Sequence, residues 1–266
     1  MRRQPIVADR FYEGDPGKLY QTLRQLIPKT SDRVEAKAVL SPHAGYVYSG
    51  GVAGETFARI TIPETVILLG PNHQGSGMPL AVGSQDWDMP LGQIPLARDL
   101  AESLTNASSM FTFDDTAHCF EHSLEVQVPF VQFFQKNLQI LPIVIAHLSL
   151  QECCQAAHEL AQTIQASRRS VLLVASTDMT HYLSRQQAAK QDRLALTHIL
   201  ALDATGLYET VFSRRISMCG IIPTTITLLT VAELGARTAE LVRYMDSGEA
   251  SGDTDKVVGY AGVIIR

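Results

Sequence analysis

The chain has 266 residues, 45% hydrophobic and 18% charged, with a formal net charge of −5. That composition excludes a disordered or fibrous chain. The acidic balance excludes a nucleic-acid binder, because neutralising phosphates takes a basic stripe and the cluster Arg168-Arg169 is too short to supply one.

The predicted elements alternate along the chain. Near-continuous, largely β-branched apolar runs at residues 38–40, 65–69, 140–146 and 170–175 read as strands buried on both faces. Helical patterns follow or precede them at 50–60, 96–104, 125–134, 150–165 and 184–202, and an apolar helix is expected over 221–234. The last stretch differs. Residues 240–245 and 257–265 flank a turn-rich segment and predict a terminal antiparallel pair, so the sheet is expected to be mixed. Alternating strands and helices with no linker or repeat predict one layered α/β domain over residues 1–266. The stretch 221–234 is too short for a membrane span and carries Pro223 and four threonines. Met1-Arg2-Arg3 is followed by Gln4-Pro5-Ile6-Val7 rather than an apolar run, so no signal peptide is expected. Cys119, Cys153, Cys154 and Cys219 form no CxxC pair, which argues against a disulfide framework. A soluble, cytoplasmic protein is expected, with neither nucleic acid nor membrane as partner.

The informative residues follow the apolar runs. Leu40 leads into Ser41-Pro42-His43-Ala44-Gly45, Leu69 into Gly70-Pro71-Asn72-His73-Gln74-Gly75, and Ala175 into Ser176-Thr177-Asp178-Met179-Thr180-His181. Ligand sites in open α/β sheets form outside the carboxyl ends of the strands. Three strand ends therefore bring imidazoles, and one a carboxylate, to one edge of the sheet. Pro42 and Pro71 stiffen the exits, which suits ligands held in place before an ion arrives. Either turn alone reads equally well as a tight βα connection with a helix-capping histidine; together they favour metal ligation by His43 and His73. In Glu121-His122-Ser123-Leu124-Glu125, Ser123 is expected to cap the next helix, with Glu125 in its first turn. Glu121 and His122 remain for an outer shell or acid–base work. The i, i+4 pair His118 and His122 sits in a loop-like context and is given little weight. Cys219 precedes the apolar helix, where a thiol pKa is lowered toward a metal-binding or nucleophilic thiolate; a buried small hydrophobe is the competing reading.

These residues carry a resemblance. SPHAGYVYSG, LLGPNHQG, EHSLEVQVPF, STDMTHY and MCGIIP, with FYEGDP near the start, resemble the MEMO family over nearly the whole chain. Its bacterial and archaeal members are also called AmmeMemoRadiSam system protein B, and the family is similar in structure to LigB-type class III extradiol dioxygenases. The resemblance implies a LigB-like three-layer α/β/α sandwich with a central mixed sheet and one metal pocket. It implies His43, His73 and Cys219 as ligands, with Asp178, His181 and His122 beside them as catalytic residues. Iron(II), as the fold suggests, or copper is the implied metal, with zinc possible; a thiolate in place of the carboxylate of facial-triad oxygenases tilts the preference toward copper or zinc. On this reading Asp178 holds His181 in one tautomer as a proton acceptor.

Three functions compete at this stage. The first is a dioxygenase-like, metal-dependent redox enzyme acting on a small molecule. The second is a non-catalytic metal-handling or peptide-binding protein, and the third a metal-free Cys-His hydrolase with Cys219 as nucleophile. The family's system name also implies a functional link to radical SAM and AMMECR1-like proteins.

Overall fold

The apolar runs form the centre of a mixed sheet. The computed structural model describes residues 2–30 and 32–266. The first half builds α1 (Pro16–Leu26), β1 (Ala38–Ser41), α2 (Tyr46–Ala58), β2 (Thr65–Pro71), β3 (Leu80–Val82), α3 (Arg98–Ala107), β4 (Thr112–Phe113) and α4 (Val128–Phe134). The second half adds β5 (Gln139–Ile145), α5 (Leu150–Ser167), β6 (Val171–Ser176), β7 (His181–Leu183), α6 (Arg185–Leu200), α7 (Ala204–Arg214), α8 (Ile221–Glu233), β8 (Ala239–Asp246) and β9 (Val257–Ile265). Among the described residues these strands form one sheet in the order β7-β9-β1-β6-β2-β5-β3-β4, with β8 on β9. The middle four, β1, β6, β2 and β5, run parallel. On one side β9 runs antiparallel to β1 and β8 antiparallel to β9, and on the other β3 runs antiparallel to β5. The mixed character read from the C-terminal pair is therefore correct.

Alternation explains why the parallel strands read as unbroken apolar runs. Ala38, Leu40, Ile67, Leu69, Leu141, Ile143, Leu173 and Ala175 face one core with side chains of α3, α5, α6, α7 and α8. Val39, Val66, Leu68, Ile140, Val144, Leu172 and Val174 face the other, with α1, α2 and α4. Both faces are buried under helices, so the sheet is the middle of a three-layer α/β/α sandwich. Each fully buried aliphatic side chain contributes about 1.5–3 kcal/mol to that arrangement. Local signals agree with it. Ser149 and Glu152 form a reciprocal capping box at the start of α5, and Asp15 accepts from Lys18 N–H ahead of Pro16 at the start of α1.

The helix expected over 125–134 is present, its first turn a 3₁₀ turn, Glu125–Gln127, that leads directly into the short α4. Ser123 does not cap it: its hydroxyl donates to the Pro71 carbonyl, 3.3 Å away. Glu125 does stand in the first turn, but its charge has a different partner from the helix end. It is fully buried, and its carboxylate pairs with Arg3 at 2.7 Å. It also accepts from the N–H groups of Ile6 and Val7 and from Tyr12 Oη at 2.8 Å. The Arg3 guanidinium lies 4.1 Å from the Trp87 ring centre and donates to the carbonyls of His118 and Glu121. The N-terminal arm is thus pinned beneath the segment that carries Glu121 and His122.

Candidate metal centre

Parallel pairing of β1, β6 and β2 puts their carboxyl ends on one edge, as the strand-end argument requires. His43 follows β1 and is only 2% exposed. α2 begins three residues later, and Tyr46 N–H donates to the Phe11 carbonyl, which fixes the exit. His73 follows β2 in a loop cross-tied by Asn72, which accepts from Gly75 N–H at 2.8 Å and donates to the Ser76 carbonyl at 2.7 Å. Cys219 arrives from the opposite direction, just before α8. A Cβ on Gly220 would lie 2.4 Å from Thr177 Cβ and 2.5 Å from the Ser176 carbonyl oxygen. Only glycine lets the start of α8 press against the end of β6. That contact sets the thiol 3.3 Å from His43 Nε2, with Asp178 N–H donating to the sulfur at 3.2 Å.

The side chains converge. One ring nitrogen each of His43, His73 and His122 lies within 4.8 Å of the other two. The His73 and His122 rings stack at 4.8 Å, and His43 meets both edge-on. Donors sharing an ion at about 2.0–2.3 Å lie about 3–4 Å apart, so these residues fit one cation with small adjustments. His122 is half-buried, backed by Phe11 at 5.0 Å. It joins the cluster more closely than the sequence reading placed it. His118 does not: it is buried elsewhere, its Nε2 3.0 Å from the Ala81 carbonyl.

Hydrogen bonding fixes the tautomers. Ser176 Oγ has a single proton, given to the Ser123 carbonyl at 2.7 Å, while Gln127 Nε2 donates to the same oxygen at 2.9 Å. His43 Nδ1, 2.9 Å from that oxygen, must therefore be the donor. Nε2 keeps its lone pair and faces Cys219. His73 Nδ1 lies 2.9 Å from Glu121 Oε1, and the same carboxylate accepts from the N–H groups of His73 and Ser123. Again Nε2 is left free, the carboxylate–histidine arrangement typical of metal ligands. Burial works against the Glu121 charge, but the hydrogen bonds and electrostatic attraction of the His73 N–H groups, with the Ser123 N–H, outweigh it and hold the pKa down to about 2. Burial and then the His73, His122 and His181 rings push His43 well below its usual value, so it stays neutral.

Two sequence expectations need correction here. Asp178 does not hold His181: His181 Nδ1 donates to the Ser217 carbonyl at 2.8 Å, and Asp178 accepts from His43 N–H at 2.8 Å. The tautomer is fixed as expected, but by a backbone carbonyl. The Cys219 pKa is not lowered either. Burial and then the Asp178 carboxylate raise it, overriding any helix-end effect. Without a cation the group is a thiol, so the hydrolase reading has its Cys-His contact but no activated nucleophile. Ser176, Gln127 and Ser217 were missed by sequence reasoning. Ser176 sits inside the STDMTHY motif, yet nothing in one sequence says that its hydroxyl meets His43.

The Memo family model, described as Memo-like protein, matches residues 3–264. The chain belongs to the MEMO family. A MEMO1 family protein of Methanosarcina barkeri is 40% identical over 99% of this chain and 100% of its own length. Those of Methanopyrus kandleri and Aquifex aeolicus are each 37% identical, over 100% and 98% of this chain and 99% and 98% of their own lengths. Among the described residues no helix is long and apolar enough to cross a membrane.

Proposed function

We propose that this protein holds one transition-metal ion on His43, His73 and Cys219 and acts as a non-haem iron- or copper-dependent, dioxygenase-like redox enzyme on a small molecule. The observation that carries this reading is the pair of imidazoles whose Nδ1 atoms are tied to Ser176 and Glu121, clustered with His122, with the Cys219 thiol 3.3 Å from His43 Nε2. Bound iron or copper would supply one-electron chemistry with oxygen, whereas zinc would supply Lewis acidity alone. The chain's own residues do the rest. Ser176 and Glu121 hold the ligand rings in one orientation. His181, with Nδ1 committed to Ser217, has Nε2 available to take a substrate proton. Asp178 braces the His43 backbone and the Cys219 sulfur together, and His122 walls the pocket against Phe11.

The test is metal content and oxygen uptake. Protein purified without added metal is analysed for bound ions, and His43→Ala, His73→Ala and Cys219→Ala are each expected to lose most of them. Wild-type content in both histidine variants would rule out the ligand set. Iron-loaded protein is expected to take up oxygen with a catechol-like substrate. Metal bound but no uptake across a panel of such substrates would leave the metal-handling reading in its place.

A further inference from the structure

Tyr260 lies on β9, which pairs antiparallel with β1 and sets Val263 opposite Leu40. His43 lies two residues beyond the end of β1, and the same register continued past the strand puts Tyr260 level with it. The neighbouring backbone is fixed to the turn that carries Asp178 and His181: Met179 N–H donates to the Gly259 carbonyl at 2.8 Å, and Gly259 N–H to the Thr180 carbonyl at 2.9 Å. The Tyr260 ring is 2% exposed and packs with Val52, Met245 and Ala44, the residue after His43.

A buried tyrosine hydroxyl normally finds a partner. Those of Tyr12, Tyr46 and Tyr244 do, on Glu125, the Val126 carbonyl and Asp192. Among the described residues the Tyr260 hydroxyl has none, and it does not count among the sealed, orphaned polar atoms either. It therefore reaches open space. The strand register and the backbone bonds of Gly259 to Met179 and Thr180 say which space. After burial, Asp178 is the largest influence raising its pKa, followed by Tyr48, with Asp246 and Tyr182 weaker. The phenol stays protonated, beside the turn that carries Asp178.

We propose that the Tyr260 hydroxyl donates a hydrogen bond to an oxygen acceptor (a phenolate, enolate or carboxylate oxygen) of the small molecule bound beside His43 and Asp178. This assignment rests on the metal-pocket reading for the ligand's position. It makes Tyr260 a ligand-contacting residue, which none of the family motifs in the sequence contains.

Tyr260→Phe removes only the hydroxyl. Zinc binding and Tm are measured first, then 4-nitrocatechol is titrated by absorbance into zinc-loaded and metal-free protein, with Tyr208→Phe as a distant control. The expected result is wild-type Tm and zinc affinity, a 4-nitrocatechol affinity about 10-fold weaker, as for one lost hydrogen bond to a charged acceptor, and a displaced band for the bound probe. Tyr208→Phe is expected to match wild type. Equal affinity and band position in Tyr260→Phe and wild type would overturn the assignment, as would failure of the probe to bind wild type in either form. Should wild type take no zinc, the metal reading alone falls, and the comparison on metal-free protein still decides the role of Tyr260.

Discussion

Glu121→Gln tests how much of the pocket depends on one carboxylate. Glu121 Oε1 accepts from His73 Nδ1 at 2.9 Å and Ser123 N–H at 2.8 Å, and Oε2 accepts from His73 N–H at 2.7 Å. Glutamine has the same shape but one acceptor oxygen. If that oxygen faces the ring, the amide NH₂ points at the His73 N–H. If the amide flips, the ring loses its acceptor. Either way a buried donor is orphaned, a penalty of about 1–3 kcal/mol. The free Nε2 of His73 also becomes a poorer donor to a cation, since its ring loses both orientation and a negative partner. Loss of such a partner lowers metal affinity about 10–100-fold, or about 1.4–2.7 kcal/mol. Competition for zinc against a chromophoric chelator at neutral pH measures the change, and circular dichroism confirms that the fold is intact. A zinc affinity within twofold of wild type, with His73→Ala abolishing binding, would refute the claim that Glu121 orients His73.

Three further outcomes follow from the geometry. Glu125→Gln leaves Arg3 without its buried counter-charge and is expected to cost about 3 kcal/mol, lowering Tm by roughly 6–12 °C; proteolysis at the N-terminal arm is expected to speed up, and an unchanged Tm would contradict the pinning role. Gly220→Ala forces the start of α8 away from Thr177, at about 1–3 kcal/mol; because Cys219 must move with it, at least a tenfold loss of zinc affinity is expected, and wild-type affinity would sink the argument. His118 is buried neutral, its pKa lowered to about 4 chiefly by burial and further by Arg3, against the pull of the Ala81 carbonyl. The unfolded chain therefore takes up this proton first: stability is intact above about pH 6.5 and falls by up to about 3 kcal/mol as pH drops toward 4. Urea unfolding at a series of pH values is expected to show a shallower acid slope in His118→Gln, and identical slopes would exclude this assignment.

Much of the frame was legible because its signals are local. Four apolar runs became the four parallel strands, and their Pro-containing exits identified His43 and His73. Residues whose partners are distant in sequence could not be read this way. Glu125 looked like a helix-end charge because its counter-ion, Arg3, lies 122 residues away. His181 seemed paired with nearby Asp178, yet its partner, Ser217, is 36 residues on. α1 escaped notice despite Asp15 and Pro16, since its buried stripe is only Leu19 and Leu23. Cys219 was ambiguous until its contact with Thr177 and His43 was seen, and the family motif, rather than its spacing, singled it out.

The contact between Cys219 and His43 joins residues 176 positions apart, and β1, which delivers His43, is held between β6 and the final strand, β9. During synthesis, then, no emerging fragment presents the pocket. His43 and His73 leave the ribosome long before the thiol, and the strand beside them closes only after residues 257–265 have emerged. An early cation would meet loose imidazoles without their Ser176 and Glu121 braces, and would bind weakly and exchange quickly. Metal selection therefore falls to the folded α/β sandwich rather than to a nascent fragment, with β9 as the piece that completes the receptacle.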